Sequence, residues 1–139
     1  MTTHTTITRQ QVADDQRIEH TAAIFGIDFP MRFEPAVYRI AETIAPEYNG
    51  GYWEFYALSN GGFYMAPISD NAFHVSCDNG YEGLLSPDAL GIAVCLYTYS
   101  YLSFSNNQEL AEICTRQYHW LRNYMLQHPE AEGILGAID

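Results

Sequence analysis

The residues able to do chemistry are few and scattered. His74 and Cys77 stand three apart in the run Ala72–Cys77, with Cys95 and Cys114 further along the chain. A zinc site wants close ligand pairs, and only one such pair exists. The alternation of that run predicts a strand, which points His74 and Cys77 to opposite faces. The reading is a sheet histidine and a core thiol, and no metal is expected. Nucleophilic catalysis needs a serine or cysteine held beside a base, and no G-x-S-x-G elbow occurs. Asp70, Asp78 and Glu82 could gather at strand turns, where carboxylates are ordinarily just solvated. The glycine pair of "NGGYWEF" lacks the lysine of a phosphate loop and sits at a strand end rather than a helix start. His119, beside Trp120, lies two residues from Leu121 on an apolar stripe, which turns it outward. There is no cofactor fingerprint, and no cofactor is expected.

The elements that would position these residues read as follows. Residues 1–7 are polar and threonine-rich, hence frayed, and the first fifteen are expected to be a flexible segment. Thr8 and Gln11 have the spacing of a capping box, with a helix toward Ile18–Phe25 that Gly26 stops. Pro35 suits a first helical position. Val37, Ile40, Ala41 and Ile44 form one stripe, ended by Pro46. Tyr52–Leu58 and Phe63–Ile68 flank Asn60-Gly61, the signal for a two-residue hairpin turn. With that turn Leu58 faces Phe63, Tyr56 faces Met65 and Glu54 faces Pro67. Ala72–Cys77 and Tyr81–Leu85, joined at Asn79-Gly80, complete a four-stranded antiparallel meander over about residues 52–85. Ser86 and Pro87 open a helix through about Phe104. Leu110, Ile113, Cys114, Tyr118, Leu121 and Met125 mark another, and Pro129 begins a short terminal piece. The expected fold class is α+β: one domain over residues 16–139, with four to five helices around the meander.

Bulk composition narrows the function. The chain has 139 residues and no lysine; six arginines oppose seventeen acids, a net charge of −11. That balance excludes a basic face for nucleic acid, so no direct DNA or RNA binding is expected. It equally excludes docking on anionic membranes. Dense DNA mimicry fails on arithmetic: at one charge per roughly 1.7 Å, all the acids on one face would imitate only about 29 Å of duplex, and here they are spread from Asp14 to Asp139. The three cysteines fit no disulfide framework, which implies reduced thiols and a cytoplasmic protein. The N-terminus "MTTHTTITRQQ" has no apolar signal region. The apolar run from Ala89 is marginal in length for a membrane span and reads as a buried helix.

Several motifs fall in one order: "QRI" at 16–18, "FG" at 25–26, "EPAVY" at 34–38, "YNGGYWEFYALSNGGFYMAP" at 48–67, "NGYEGLLSPDALGIAVCLYTYS" at 79–100 and "LRNYMLQHPEAEGILGAID" at 121–139. Together these resemble the ArdB/KlcA antirestriction family of plasmids and other mobile elements. The Gly-Gly hairpin, "MAP", "S-P-D-A-x-G-I" and "HPE" are specific as a set. The resemblance implies a protein that protects incoming DNA against type I restriction enzymes. Its partner would be the restriction–modification enzyme or an associated host factor.

The stretch Tyr48–Pro67 holds seven aromatic rings and a single charge, Glu54. Aromatic residues with a polar handle suit protein interfaces. Trp53, Tyr56, Tyr64 and Met65 are therefore the candidate contact residues, with an exposed rim at Trp53, and Arg17 and Glu34 join them. Their role would be contact and not catalysis. A second reading stays open here: a small-ligand binder or hydrolase that uses the same aromatic floor, with Asp70, His74 or Asp78 converging on a deep pocket.

Overall fold

A computed structural model describes residues 6–139; the frayed stretch expected at 1–7 lies largely outside the described residues. The chain is α+β, as expected. In order it forms β1 (Arg9–Gln11), α1 (Arg17–Phe25), α2 (Glu34–Ile44), β2 (Trp53–Leu58), β3 (Phe63–Pro67), β4 (Phe73–Ser76), β5 (Glu82–Leu85), α3 (Pro87–Leu102), α4 (Gln108–Met125) and α5 (Ala131–Ile138). Gly26, at φ 61°, stops α1 with its N–H on the Ala22 carbonyl. Ser86 accepts from the Ala89 N–H and so caps α3, and Asn107 does the same for α4.

The expected meander is split. Strands β1, β2 and β3 make one antiparallel sheet, while β4 and β5 pair apart from it. One feature divides them. Helix α3 occupies the free edge of β3, where β4 was expected. At Gly91 an added Cβ would meet the Ala66 backbone at 2.5 Å, so only glycine permits this approach. Along the same edge the Tyr99 hydroxyl donates to the Phe63 carbonyl at 2.8 Å, and Cys95 Sγ lies 3.5 Å from the Met65 nitrogen. A helix thus covers an edge that would otherwise remain open to pairing. The opposite edge, that of β2, is taken by β1, with Arg9 opposite Leu58 and Gln11 opposite Tyr56. Thr8 and Gln11 therefore lie in or beside a strand rather than a capping box, and part of the segment expected to be flexible is sheet.

The β2–β3 register differs by one residue from the expected one: Ala57 faces Phe63, Tyr56 faces Tyr64 and Glu54 faces Ala66. The loop has three residues, not two. Gly61 alone takes a positive φ, 98°, while its N–H donates to the Leu58 carbonyl and the Leu58 N–H to the Gly62 carbonyl. This is a type I turn closed by a glycine bulge. Asn60 is spent otherwise: its Oδ1 accepts from the Gly62 N–H and its Nδ2 donates to the Trp120 carbonyl of α4. The turn at Asn79-Gly80 repeats the pattern, with Gly80 N–H on the Cys77 carbonyl and Tyr81 N–H on Asn79 Oδ1.

The core is an aromatic cluster between the large sheet and the helices. Phe25 stacks on Phe33 at 4.8 Å, Phe33 on Tyr99 at 4.9 Å, and Phe55 meets Phe63 edge-on at 5.5 Å. Edge and stacked pairs of this kind add about 0.5–1.5 kcal/mol each beyond the area they bury. Helix α3 is apolar on every side, and every residue from Ala89 to Leu96 is buried, as its lack of a polar face requires.

Candidate functional site

The six candidate residues separate into two groups. Trp53 is 2% exposed; its indole N–H donates to the Tyr48 hydroxyl and its ring meets Tyr38 and Tyr48 edge-on. It does not form an exposed rim. Tyr64 and Met65 are wholly buried. These three cannot meet a partner without unpacking the core, because Phe29 and Phe33 cover one face of the hairpin, Arg9 and Tyr124 the other, and α3 the β3 edge. Tyr56 is half-buried beneath the Arg9 guanidinium, 4.3 Å from its ring centre, and its hydroxyl donates to Glu54. Burial, then that hydrogen bond, pushes its phenol up to about 12.

Arg17 and Glu34, by contrast, come together. Both wall an open groove of about 500 Å³ between α1 and α2. Phe29 and Phe55 are its floor, and Ile18, Thr21, Ala22, Gly26, Ile27 and Pro30 complete its lining. The groove exists because α1 buries only Thr21 and Phe25, one turn apart, and turns its remaining side outward. The chain then leaves Gly26 through a wide π-type turn, Phe29–Phe33, before α2 begins. Phe29 and Phe33 point into the core, while Ile27 and Met31 point out at 73% and 68% exposure. Ile18 is 84% exposed. Large apolar side chains left bare in this way are the kind of surface at which proteins meet partners.

The two charges of the groove are unequal. The Arg17 guanidinium donates to the Trp53 carbonyl at 2.8 Å, with Nε 3.4 Å from Asp14 Oδ1. It also lies over the Phe55 and Tyr52 rings, at 4.2 and 4.7 Å. Its charge is thus partly met within the molecule, although Nε itself is buried without a hydrogen-bond partner. Glu34 accepts one hydrogen bond, from the Tyr38 hydroxyl at 3.1 Å. Among the described residues it has no ion pair. Burial and the nearby Glu34 charge together push the Tyr38 phenol well above its ordinary range.

A second polar cluster was not found as a site by sequence reasoning. The motifs "S-P-D" and "H-P-E" lock together: Ser86 Oγ and N–H both donate to the Glu130 carboxylate, while His128 Nε2 meets Asp88 Oδ2 at 2.8 Å. Arg9 and the Tyr64 hydroxyl both reach the other Asp88 oxygen, at 2.6 and 2.7 Å. Burial by itself would raise the Asp88 carboxyl, but the hydrogen bonds from His128 and Tyr64 and the Arg9 charge hold it below its ordinary value. The signal was present in the motifs, but the pairing between two segments about forty residues apart was not. The lock ties β1, β3, the start of α3 and the start of α5 to one point. It does not present a base: His128 Nδ1 accepts from the Glu130 N–H, so both ring nitrogens are occupied.

Other chemistry finds little support. Burial pushes the Cys95 and Cys114 thiols up to about 12 and raises Cys77 as well. Such thiols are protonated at neutral pH and are poor nucleophiles. Among the described residues no group of three or more His, Cys, Asp and Glu side chains is placed to hold a metal ion. Nor, among the described residues, is any helix long and apolar enough to cross a membrane. Asp70, His74 and Asp78 are exposed and line none of the cavities described, and the aromatic floor they would have served is filled core.

A family model described as antirestriction protein matches residues 46–139, from the end of α2 to the C-terminus. The antirestriction protein KlcA of Escherichia coli is 38% identical over 135 residues, covering 96% of this chain and 95% of that protein. The chain belongs to the antirestriction protein family. The uncharacterized protein YafX of Escherichia coli K12 is 39% identical over 137 residues, 96% of this chain and 88% of that protein. A solved structure superposes with a TM-score of 0.89 at 37% identity, over 100% of this chain and 99% of that one. It comes from work on the KlcA and ArdB proteins, described as a novel fold with antirestriction activity against type I DNA restriction systems in vivo but not in vitro. The antirestriction family match extends over the Ser86–Glu130 and Asp88–His128 lock and both hairpins, while the groove-forming α1 lies before residue 46.

Proposed function

We propose that this protein relieves DNA cleavage by type I restriction–modification systems in the cytoplasm, by contact with a protein of the restriction machinery and without chemistry of its own. Membership of the antirestriction family carries this reading, supported by a whole-chain match to a structure with that activity. The contact surface is the groove with Arg17 and Glu34 on its walls and Ile18 and Ile27 at its mouth. The target is the restriction enzyme itself or a host factor associated with it. Direct DNA binding does not serve this function. The chain has net charge −11, and among the described residues Arg9, Arg17 and Arg32, three of its six arginines, each stand within 4.0 Å of an acid, which leaves few free cations to neutralise phosphates.

The experiment is restriction of unmodified phage in cells with and without the protein, across type I and type II systems. Relief against type I alone is expected. Equal relief of both, or relief of neither, would overturn the assignment.

A further inference from the structure

The groove is selective by charge as well as by shape. Among the described residues Arg17 is the one cation in its lining. That cation is paired with the exposed Asp14, donates to the Trp53 carbonyl and is held against two rings, which leaves Nε as its one buried nitrogen without a hydrogen bond and weakens its draw on an incoming anion. Glu34 is the opposite case: a half-buried carboxylate with one hydrogen-bond donor and, among the described residues, no cation within 4.0 Å. Apart from Thr21, whose hydroxyl donates to the Arg17 carbonyl, the remaining surface is apolar, with two phenylalanines in the floor.

One kind of side chain fits all three conditions. Lysine and arginine bury an apolar stem and carry a cationic head, and the aromatic floor favours a cation as well. The volume, about 500 Å³, admits such a side chain together with an apolar neighbour. The chain as a whole, at −11, draws cationic segments and repels acidic ones.

We propose that this groove receives a lysine or arginine side chain of the partner protein, accompanied by an apolar residue, with Glu34 as the counter-charge. This rests on the functional reading above and adds the chemistry of the partner segment. Ile18 and Ile27 close over the apolar neighbour, and Tyr38 holds the Glu34 carboxylate in place. Glu34→Gln keeps an oxygen for the Tyr38 hydroxyl while it removes the charge, so it isolates the electrostatic part.

Two probes of matched shape make the test: phenethylammonium and 3-phenylpropanoate, titrated into methyl-labelled protein. The Ile18 and Ile27 methyl resonances should move with the cation at concentrations about tenfold lower than with the carboxylate, the effect of one well-placed charge pair. Glu34→Gln should abolish that preference while its urea melt stays close to that of the parent. It should also weaken relief of type I restriction about tenfold in cells. Equal response to the two probes, a preference for the carboxylate, or no response at these methyls overturns the proposal. So does concentration-dependent self-association that Ile27→Ser removes, which would make a second copy the occupant. If the parent relieves type I restriction and Glu34→Gln relieves it undiminished, the cation site falls and the functional reading stands. If the parent relieves neither restriction type, the functional reading falls whatever the probes show, and the groove has no restriction partner to receive.

Discussion

The β2–β3 hairpin and the α1–α2 groove are both built from large apolar side chains, and they differ in what lies against them. In the hairpin, Trp53 is 2% exposed and Phe63 not at all. In the groove, Ile18 and Ile27 are 84% and 73% exposed. A strand turns its side chains to two faces, and here both faces find partners: the rings of Phe29 and Phe33 on one side, Arg9 and Tyr124 on the other. A nine-residue helix with two buried positions cannot cover itself. Concentrated aromatic residues therefore mark what the fold needs, and a few apolar residues on and just after α1 are what it leaves uncovered.

That contrast can be broken at several points. The largest effect belongs to the hairpin. Trp53→Ala should cost about 3–5 kcal/mol in a urea melt and lose antirestriction only by unfolding. A variant that melts like the parent would return Trp53 to the surface. Gly91→Val comes next, at about 3 kcal/mol, because its side chain would meet the Ala66 backbone. A small loss there would mean that α3 does not seal the β3 edge.

The lock between the "S-P-D" and "H-P-E" motifs gives a smaller effect with a pH signature. Asp88→Asn should cost about 1–3 kcal/mol near neutral pH. The native carboxyl is lowered, so its contribution is present above the ordinary value of about 3.9 and is lost as pH falls through the native one. The difference between parent and variant in urea melts should therefore shrink below about pH 4. A difference that grows on acidification would contradict the lowered carboxyl. The smallest stability effect is in the groove: Ile27→Ser should stay within about 0.5 kcal/mol in the same melts.

Much of the fold was legible because local signals and tertiary context agreed. Ser86-Pro87 fixed the start of α3, Gly26 the end of α1, and Pro46 the end of α2, each through a backbone constraint read within a few residues. The misses came where a distant segment decided. Asn60-Gly61 predicts a two-residue turn, but Trp120 of α4 claims the Asn60 side chain and the turn lengthens, moving every β2–β3 pair by one. The β3 edge reads as ready for another strand until Gly91 admits a helix. Arg9–Gln11 has no apolar alternation at all, and β2 recruits it through the backbone. For the site, Arg17 and Glu34 were reached through motif order and proved to be neighbours. Ile18 and Ile27 were passed over because one bare isoleucine carries no signal until the fold shows it beside another.

The most direct measurement pairs stability with function in one double variant. Ile18→Ser with Ile27→Ser removes the apolar mouth of the groove, and Leu84→Ser on β5 removes another exposed apolar side chain away from it. Phage restriction by a type I system is scored in cells that hold each protein at equal level, beside urea melts of the purified chains. The groove account predicts that the double variant melts within about 1 kcal/mol of the parent, two surface changes adding, and loses restriction relief. Leu84→Ser should keep it. A double variant that folds normally and still protects phage DNA as well as the parent would contradict the account.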